Sequence, residues 1–282
     1  MTSALFRVSL SDGTTRVAVG TVEDGPSSLL ADEVTIDELI GSGTLAEAAD
    51  RGELELPSGA AVAAPVGSQE IWAAGVTYVR SRDARVEEAI EATPYDRVYE
   101  AERPELFCKC AGWRVRGPGE PIAVRGDSTW DVPEPELTLV LDANVDIVGY
   151  TIGNDVSSRS IEGENTLYLP QAKTYDGSCA IGPAIVPAGE VEPPFTIGMT
   201  IERGGAVVYD DATSTAEMKR PFEELASYLG RALTFPIGAF LMTGTGIVPD
   251  PPFTLDAGDA VRITVDGLGT LENVVRRLAP RG

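Results

Sequence analysis

The chain has 282 residues, 43% of them hydrophobic, a formal charge of −22 and no histidine. That is enough apolar material for one large core with a smaller unit beside it. The negative field makes nucleic acid and anionic membranes poor partners, and no run of 18 apolar residues suggests a membrane span.

In chain order, residues 5–10 (LFRVSL) and 15–22 (TRVAVGTV) read as two strands joined by the turn Ser11-Asp12-Gly13. Residues 35–52 read as helix, with Thr35 or Asp37 as its cap. A Pro/Gly/Ala-rich connector follows, and it sets a soft boundary near residue 62. Residues 69–75 (QEIWAAG) predict a strand and residues 77–92 a polar helix. From Phe107 onward short strands dominate: LFCKCA, PIAVRG, ELTLVLD, DIVGYTIGND and AIVPAG, then a hairpin about Gly204-Gly205. Residues 221–233 predict a helix with Pro221 at its first position, and GAFLMTGTG, DAVRITV and TLENVVR close the chain as strands. Many short strands with few helices, and no βαβ alternation, predict a β-rich α+β fold.

The missing histidine excludes Ser-His-Asp and Cys-His nucleophilic schemes and histidine-based zinc sites. Cys108, Cys110 and Cys179 are too few for a structural zinc site; they read as small core residues in a reducing cytosol. A metal would therefore sit among oxygens, as Mg2+, Mn2+ or Ca2+ do. The strongest local feature is Pro133-Glu134-Pro135-Glu136 leading into TLVLD. Alternation puts Glu134 and Glu136 on one face, where a divalent cation would offset their repulsion. The same spacing also suits the solvated face of an edge strand. Asp155 ends the next strand and can return beside them.

Only three lysines occur, so Lys173 beside a carboxylate cluster is a candidate for charge stabilisation, and otherwise a surface residue. Glu105 before a strand is a candidate proton shuttle if desolvated. Arg159 suits anion binding or pairing with Asp155. Thr243-Gly244-Thr245-Gly246 suits a carboxylate or forms only a tight turn. Acidic residues spread along the whole chain suit a high-salt cytoplasm. The start MTSALFRVSLSDG predicts no secretory leader.

Taken together, ELFCK, GPGEPIAV, PEPELTLVLD, VGYTIGNDVSSR, PQAKTYDGSCAIGP, LMTGTG and LDAGDAVRITVDGLGTLENVV resemble the fumarylacetoacetate hydrolase superfamily, in order, over residues 70–278. The resemblance implies a rolled mixed β-sheet as catalytic domain (63–282), a small N-terminal α/β domain (1–62), and a homodimer or homotetramer. It implies Mg2+ on Glu134, Glu136 and Asp155, with Mn2+ or Ca2+ as substitutes, no organic cofactor, and Lys173 in the active site. Hydrolytic members carry a histidine where this chain has Ser81, so C–C bond hydrolysis is not expected. The longer run SIEGENTLYLPQAKTYDGSCAIGP, with RPELFCK, is similar to the subgroup of 2-keto-3-deoxypentonate dehydratases. That similarity implies a small 2-oxo sugar acid as substrate and 2,5-dioxopentanoate as product, in cytoplasmic pentose degradation. Glu105 and Lys173 would handle protons, and Lys109, Arg159, Lys173, Thr243 and Thr245 would surround the substrate. Oxaloacetate decarboxylation, acylpyruvate cleavage, dienoate hydration and a non-enzymatic Ca2+-stabilised protein are the alternatives.

Overall fold

The computed structural model describes residues 1–80 and 93–279, with side chains left undescribed for 93–96. The predicted polar helix over 77–92 falls largely outside the described residues, and so does Ser81.

Two large sheets form the body. The larger has eleven strands. Its centre runs from Ser3–Ser9 through Cys179–Pro187, Ile147–Asp155, Pro135–Leu141, Ala239–Met242 and Glu70–Gly75 to Glu105–Ala111. All these pairings are antiparallel except Ala239–Met242 with Glu70–Gly75, so the sheet is mixed, as expected for the fold class. The N-terminal strands Thr15–Thr21 and Gly25–Leu29 extend the same sheet beyond Ser3–Ser9, which meets Cys179–Pro187 at Leu5 and Ile185. The second sheet has five strands: Ala206–Ser214, Thr196–Arg203, Ala260–Val265, Gly269–Arg277 and Ile122–Val124.

Alternation along Pro135–Leu141 explains the packing. Leu137, Leu139 and Leu141 enter a core shared with Ile197, Ile263 and Leu271 of the five-stranded sheet. Val140 points the other way, into a second core with Leu5, Ile40, Leu45 and Phe240. All seven residues of this strand are buried, because the larger sheet is covered on both faces there. The helix predicted over 35–52 divides in two, Ile36–Ser42 and Leu45–Ala49. Thr35 is the cap: its hydroxyl accepts from the Glu38 N–H while Glu38 reaches back to Thr35. Gly43 ends the first helix in the left-handed region, at φ 71°. The helix Phe222–Gly230 starts one residue later than expected, since Pro221 has extended geometry and caps it.

Short helices at Arg159–Glu164 and Leu169–Lys173 were not legible in the sequence, nor was the helix Thr93–Glu100. At five and six residues the first two are shorter than two helical turns, so no apolar period can announce them. The cysteine reading is corrected as well. Cys108 is exposed while Cys110 and Cys179 are buried. The pairing shifts register between these positions, with Ile71 opposite Cys110 and Trp72 opposite Cys108, and that irregularity breaks the expected alternation.

Candidate metal centre

The hairpin of Pro135–Leu141 and Ile147–Asp155 sets the register of the acidic residues. Pro135 lies opposite Asn154 and Glu136 opposite Gly153. The Asp155 N–H donates to Glu134 O at 2.9 Å, and the Glu134 N–H to Asn154 Oδ1 at 3.3 Å. At the far end, Asp142 Oδ1 accepts from the N–H groups of Asn144 and Asp146 and closes the turn. One carboxylate oxygen each from Glu134, Glu136 and Asp155 lies within 4.8 Å of the others, and all three residues are buried. The solvated edge-strand alternative fails because the glutamate strand is central, with Ile147–Asp155 on one side and Ala239–Met242 on the other.

The 243–246 segment serves this cluster through its backbone. The Gly244 N–H donates to Glu136 Oε2 at 2.6 Å. Gly244 has φ 91°, and a Cβ there would collide with Thr77 Oγ1. The Thr243 hydroxyl donates to Leu137 O at 2.9 Å, and the Thr245 hydroxyl to Ile247 O at 3.1 Å.

Among the described residues, three cations surround the carboxylates. Lys173 Nζ donates to Glu134 Oε2 (2.7 Å), Asp155 Oδ2 (3.1 Å) and Ser157 Oγ (2.7 Å). Three oxygen acceptors around Nζ form a setting suited to an ammonium. Lys109 Nζ pairs with Asp155 Oδ1 and donates to Lys173 O and, at 3.1 Å, to Val156 O. Arg159 NH2 stands 3.4 Å from Glu134 Oε1. Glu136 alone among the three carboxyls has no cation in hydrogen-bond or salt-bridge reach that is described. Burial, then the charges of Asp155 and Glu134, push its carboxyl well above the usual carboxylate range, against the pull of Lys173 and the Gly244 N–H.

The cluster opens on a cleft that Glu105, Phe107, Glu162, Lys173 and Thr245 also line. Glu105 begins its strand opposite Gly75, and the Phe107 ring lies 5.7 Å from Lys173 Nζ. Lys109, Arg159 and Thr243 are buried around the carboxylates and are not among the lining residues. Glu162 and Phe107 were missed. Glu162 sits on the short helix Arg159–Glu164, begun by Ser158, with its Oε2 3.7 Å from Arg159 NH1. The one sequence signal for it was its place inside the SIEGEN run.

Three buried carboxylate oxygens within reach of one another, with no nitrogen or sulfur donor among them, fit a hard divalent cation. A β-rich scaffold that sets such a centre beside an ammonium and two further carboxyl groups defines a site for metal-assisted chemistry on a small anion. The chain belongs to the fumarylacetoacetate hydrolase family: the family described as "Fumarylacetoacetate (FAA) hydrolase C-terminal" matches residues 70–276. It is 57% identical over 213 residues to a "Probable 2-keto-3-deoxyxylonate dehydratase" of Haloferax volcanii, covering 75% of this chain and 73% of that one. It is 44% identical over 219 residues to the "2-dehydro-3-deoxy-D-arabinonate dehydratase" of Saccharolobus solfataricus, covering 76% and 74%. A solved 2-keto-3-deoxy-D-arabinonate dehydratase complexed with magnesium and 2,5-dioxopentanoate superposes with a TM-score of 0.76 at 35% identity, covering 98% of this chain and 99% of that one. No described helix is long and apolar enough to cross a membrane.

Proposed function

We propose that this protein is a Mg2+-dependent dehydratase that converts a 2-dehydro-3-deoxy-D-pentonate to 2,5-dioxopentanoate. The observation that carries the reading is the convergence of Glu134, Glu136, Asp155 and the Lys173 ammonium in a cleft that Glu105 also lines. Similarity to two dehydratases of such sugar acids supports it. Glu134, Glu136 and Asp155 would hold the ion. When bound, Mg2+ supplies positive charge that polarises a 2-oxo group beside a carboxylate and so acidifies the C3 protons.

Glu105 then takes a C3 proton and returns it to the departing C4 hydroxyl, which leaves as water. A proton shift from C5 to C3 then gives the C4–C5 enol, and transfer of its hydroxyl proton to C4 leaves the C5 aldehyde. Lys173, held as an ammonium, offsets the negative charge that gathers on the 2-oxygen. Lys109, Arg159, Thr243 and Thr245 complete the surroundings, the first three by fixing the carboxylates and the Gly244 loop. With no histidine in the chain, water has no imidazole to activate it, which disfavours C–C bond hydrolysis.

The same proposal includes a cytoplasmic homodimer or homotetramer working in concentrated salt, and a small N-terminal domain ending near residue 62. Support comes from the charge of −22 and from a family match that starts at residue 70. The test is a coupled assay with 2-keto-3-deoxypentonate, Mg2+ and molar KCl, following product through a semialdehyde dehydrogenase. EDTA-sensitive product is expected. No product from folded, Mg2+-binding protein would overturn the reading.

A further inference from the structure

Asp131 is fully buried, at 0% exposure, and neither of its carboxylate oxygens closes a well-formed hydrogen bond among the described residues, although the Ser128 hydroxyl lies near enough to favour its charge. It stands apart from the three-carboxylate cluster, in the two-residue strand Asp131–Val132 that pairs with Ser157–Ser158. Asp131 lies directly opposite Ser158, and opposite residues of an antiparallel pair turn their side chains to the same face. On that face the serine hydroxyls bond one another. Ser128 Oγ is 2.8 Å from Ser158 Oγ and 3.0 Å from Ser160 Oγ, and Ser158 and Ser160 are 3.4 Å apart. Burial, and to a lesser extent Asp127, disfavour the ionised carboxylate, while the Ser128 hydroxyl, Arg277 and Arg125 favour it.

A carboxylate buried this deeply, with a hydroxyl as its nearby donor and no cation in contact among the described residues, is unfavourable until a proton or a cation neutralises it. The groups gathered on its face are neutral oxygens, with no nitrogen or sulfur among them, which is the donor chemistry of a hard ion. One negative charge is balanced by one positive charge; a divalent ion would leave a buried excess. We propose that Asp131, with the hydroxyls of Ser128, Ser158 and Ser160, binds one alkali cation, K+ or Na+.

The site is joined to the cleft through neighbouring residues. Ser157 accepts from Lys173 Nζ, the Arg159 N–H donates to Trp130 O at 2.8 Å, and Arg159 reaches Glu134. A cation on Asp131 therefore braces the segment that holds Lys173 and Arg159 in place. The negative surface concentrates such cations around the protein. The inference does not depend on the dehydratase reading, and its test uses no turnover.

The test is thermal unfolding of the whole chain in KCl, NaCl, RbCl and tetramethylammonium chloride at equal ionic strength. The wild type should melt a few degrees higher in at least one alkali chloride than in the tetramethylammonium salt, as a ligand bound only by the native state requires. Asp131→Asn, which keeps the shape and removes the charge, should lose that difference. Crystals grown in RbCl should show an anomalous peak beside Asp131 and Ser158. The proposal is overturned by equal wild-type melting in all four salts, by an Asp131→Asn protein that keeps the alkali increment, or by absence of the peak. A proton in place of the ion would raise the midpoint equally in every salt as pH falls from 7 to 5, and that result also overturns it. If Asp131→Asn does not fold, the wild-type salt series and the anomalous map still decide.

Discussion

The Glu105 carboxylate lies against the backbone of Gly75, so closely that a Cβ added to Gly75 would collide with Glu105 Oε2. The two residues face each other across paired strands, at the mouth of the cleft. Glu105→Gln should lower kcat by about 100- to 10,000-fold, the usual contribution of a positioned acid or base. Mg2+ affinity by titration calorimetry should stay unchanged. Gly75→Ala should show a smaller loss of the same kind, by pushing the carboxylate aside. Near-normal turnover of Glu105→Gln would refute the proton-transfer role.

Lys173 offers a sharper distinction. Its Nζ is within hydrogen-bond reach of Glu134, Asp155 and Ser157, a setting suited to an ammonium, so borohydride added with a 2-oxo acid should leave Lys173 unmodified in the mass spectrum. A reduced adduct on Lys173 would replace charge stabilisation with covalent catalysis. Lys173→Met should destabilise the metal-free protein by about 3–5 kcal/mol, the cost of stripping one partner from a buried ion pair. Denaturant unfolding measures it.

Glu136 makes metal binding pH-dependent. Burial and the neighbouring carboxylates raise its folded-state carboxyl above the unfolded one. The metal-free fold therefore holds the Glu136 proton more tightly than the unfolded chain does. Its stability declines as pH rises above the unfolded carboxylate range of about 4.3 towards the folded value. Mg2+ needs the ionised form, so its affinity should rise with pH and binding should release a proton. Calorimetry in buffers of different ionisation enthalpy reads that proton directly. Glu136→Gln should flatten the metal-free stability profile; an unchanged slope would show that another group sets it.

Gly244 joins backbone geometry to the centre. Its φ of 91° and its approach to Thr77 leave no room for a side chain, and its N–H is the donor to Glu136. Gly244→Ala should cost about 1–3 kcal/mol of stability through backbone strain and weaken Mg2+ binding together. Loss of stability with intact affinity would separate the fold from the site.

Much of this was legible in the chain. The alternation of PEPELTLVLD predicts Glu134 and Glu136 on one side, and the two do meet in one cluster although Glu134 precedes the strand Pro135–Leu141; the return strand ending at Asp155 follows from its own apolar run. Thr35 and Glu38 carry their capping box locally. The absence of histidine, with only three cysteines, points any metal to oxygen donors before a single coordinate is known. Each of these properties belongs to a short stretch of sequence, so local stereochemistry decides it.

Tertiary structure decided the rest, because each remaining feature depends on residues far apart in sequence. Whether the glutamate strand is a solvated edge or a buried centre rests on Ala239–Met242 pairing beside it. Lys109 reaches Asp155 across 46 positions, and Lys173 reaches Glu134 across 39, from a five-residue helix that no periodicity predicts. The buried carboxylate of Asp131 is visible only once Ser158 lies opposite it. Local patterns fix the direction in which a side chain leaves its own backbone; only the packed fold fixes which charge it meets and how little water remains between them.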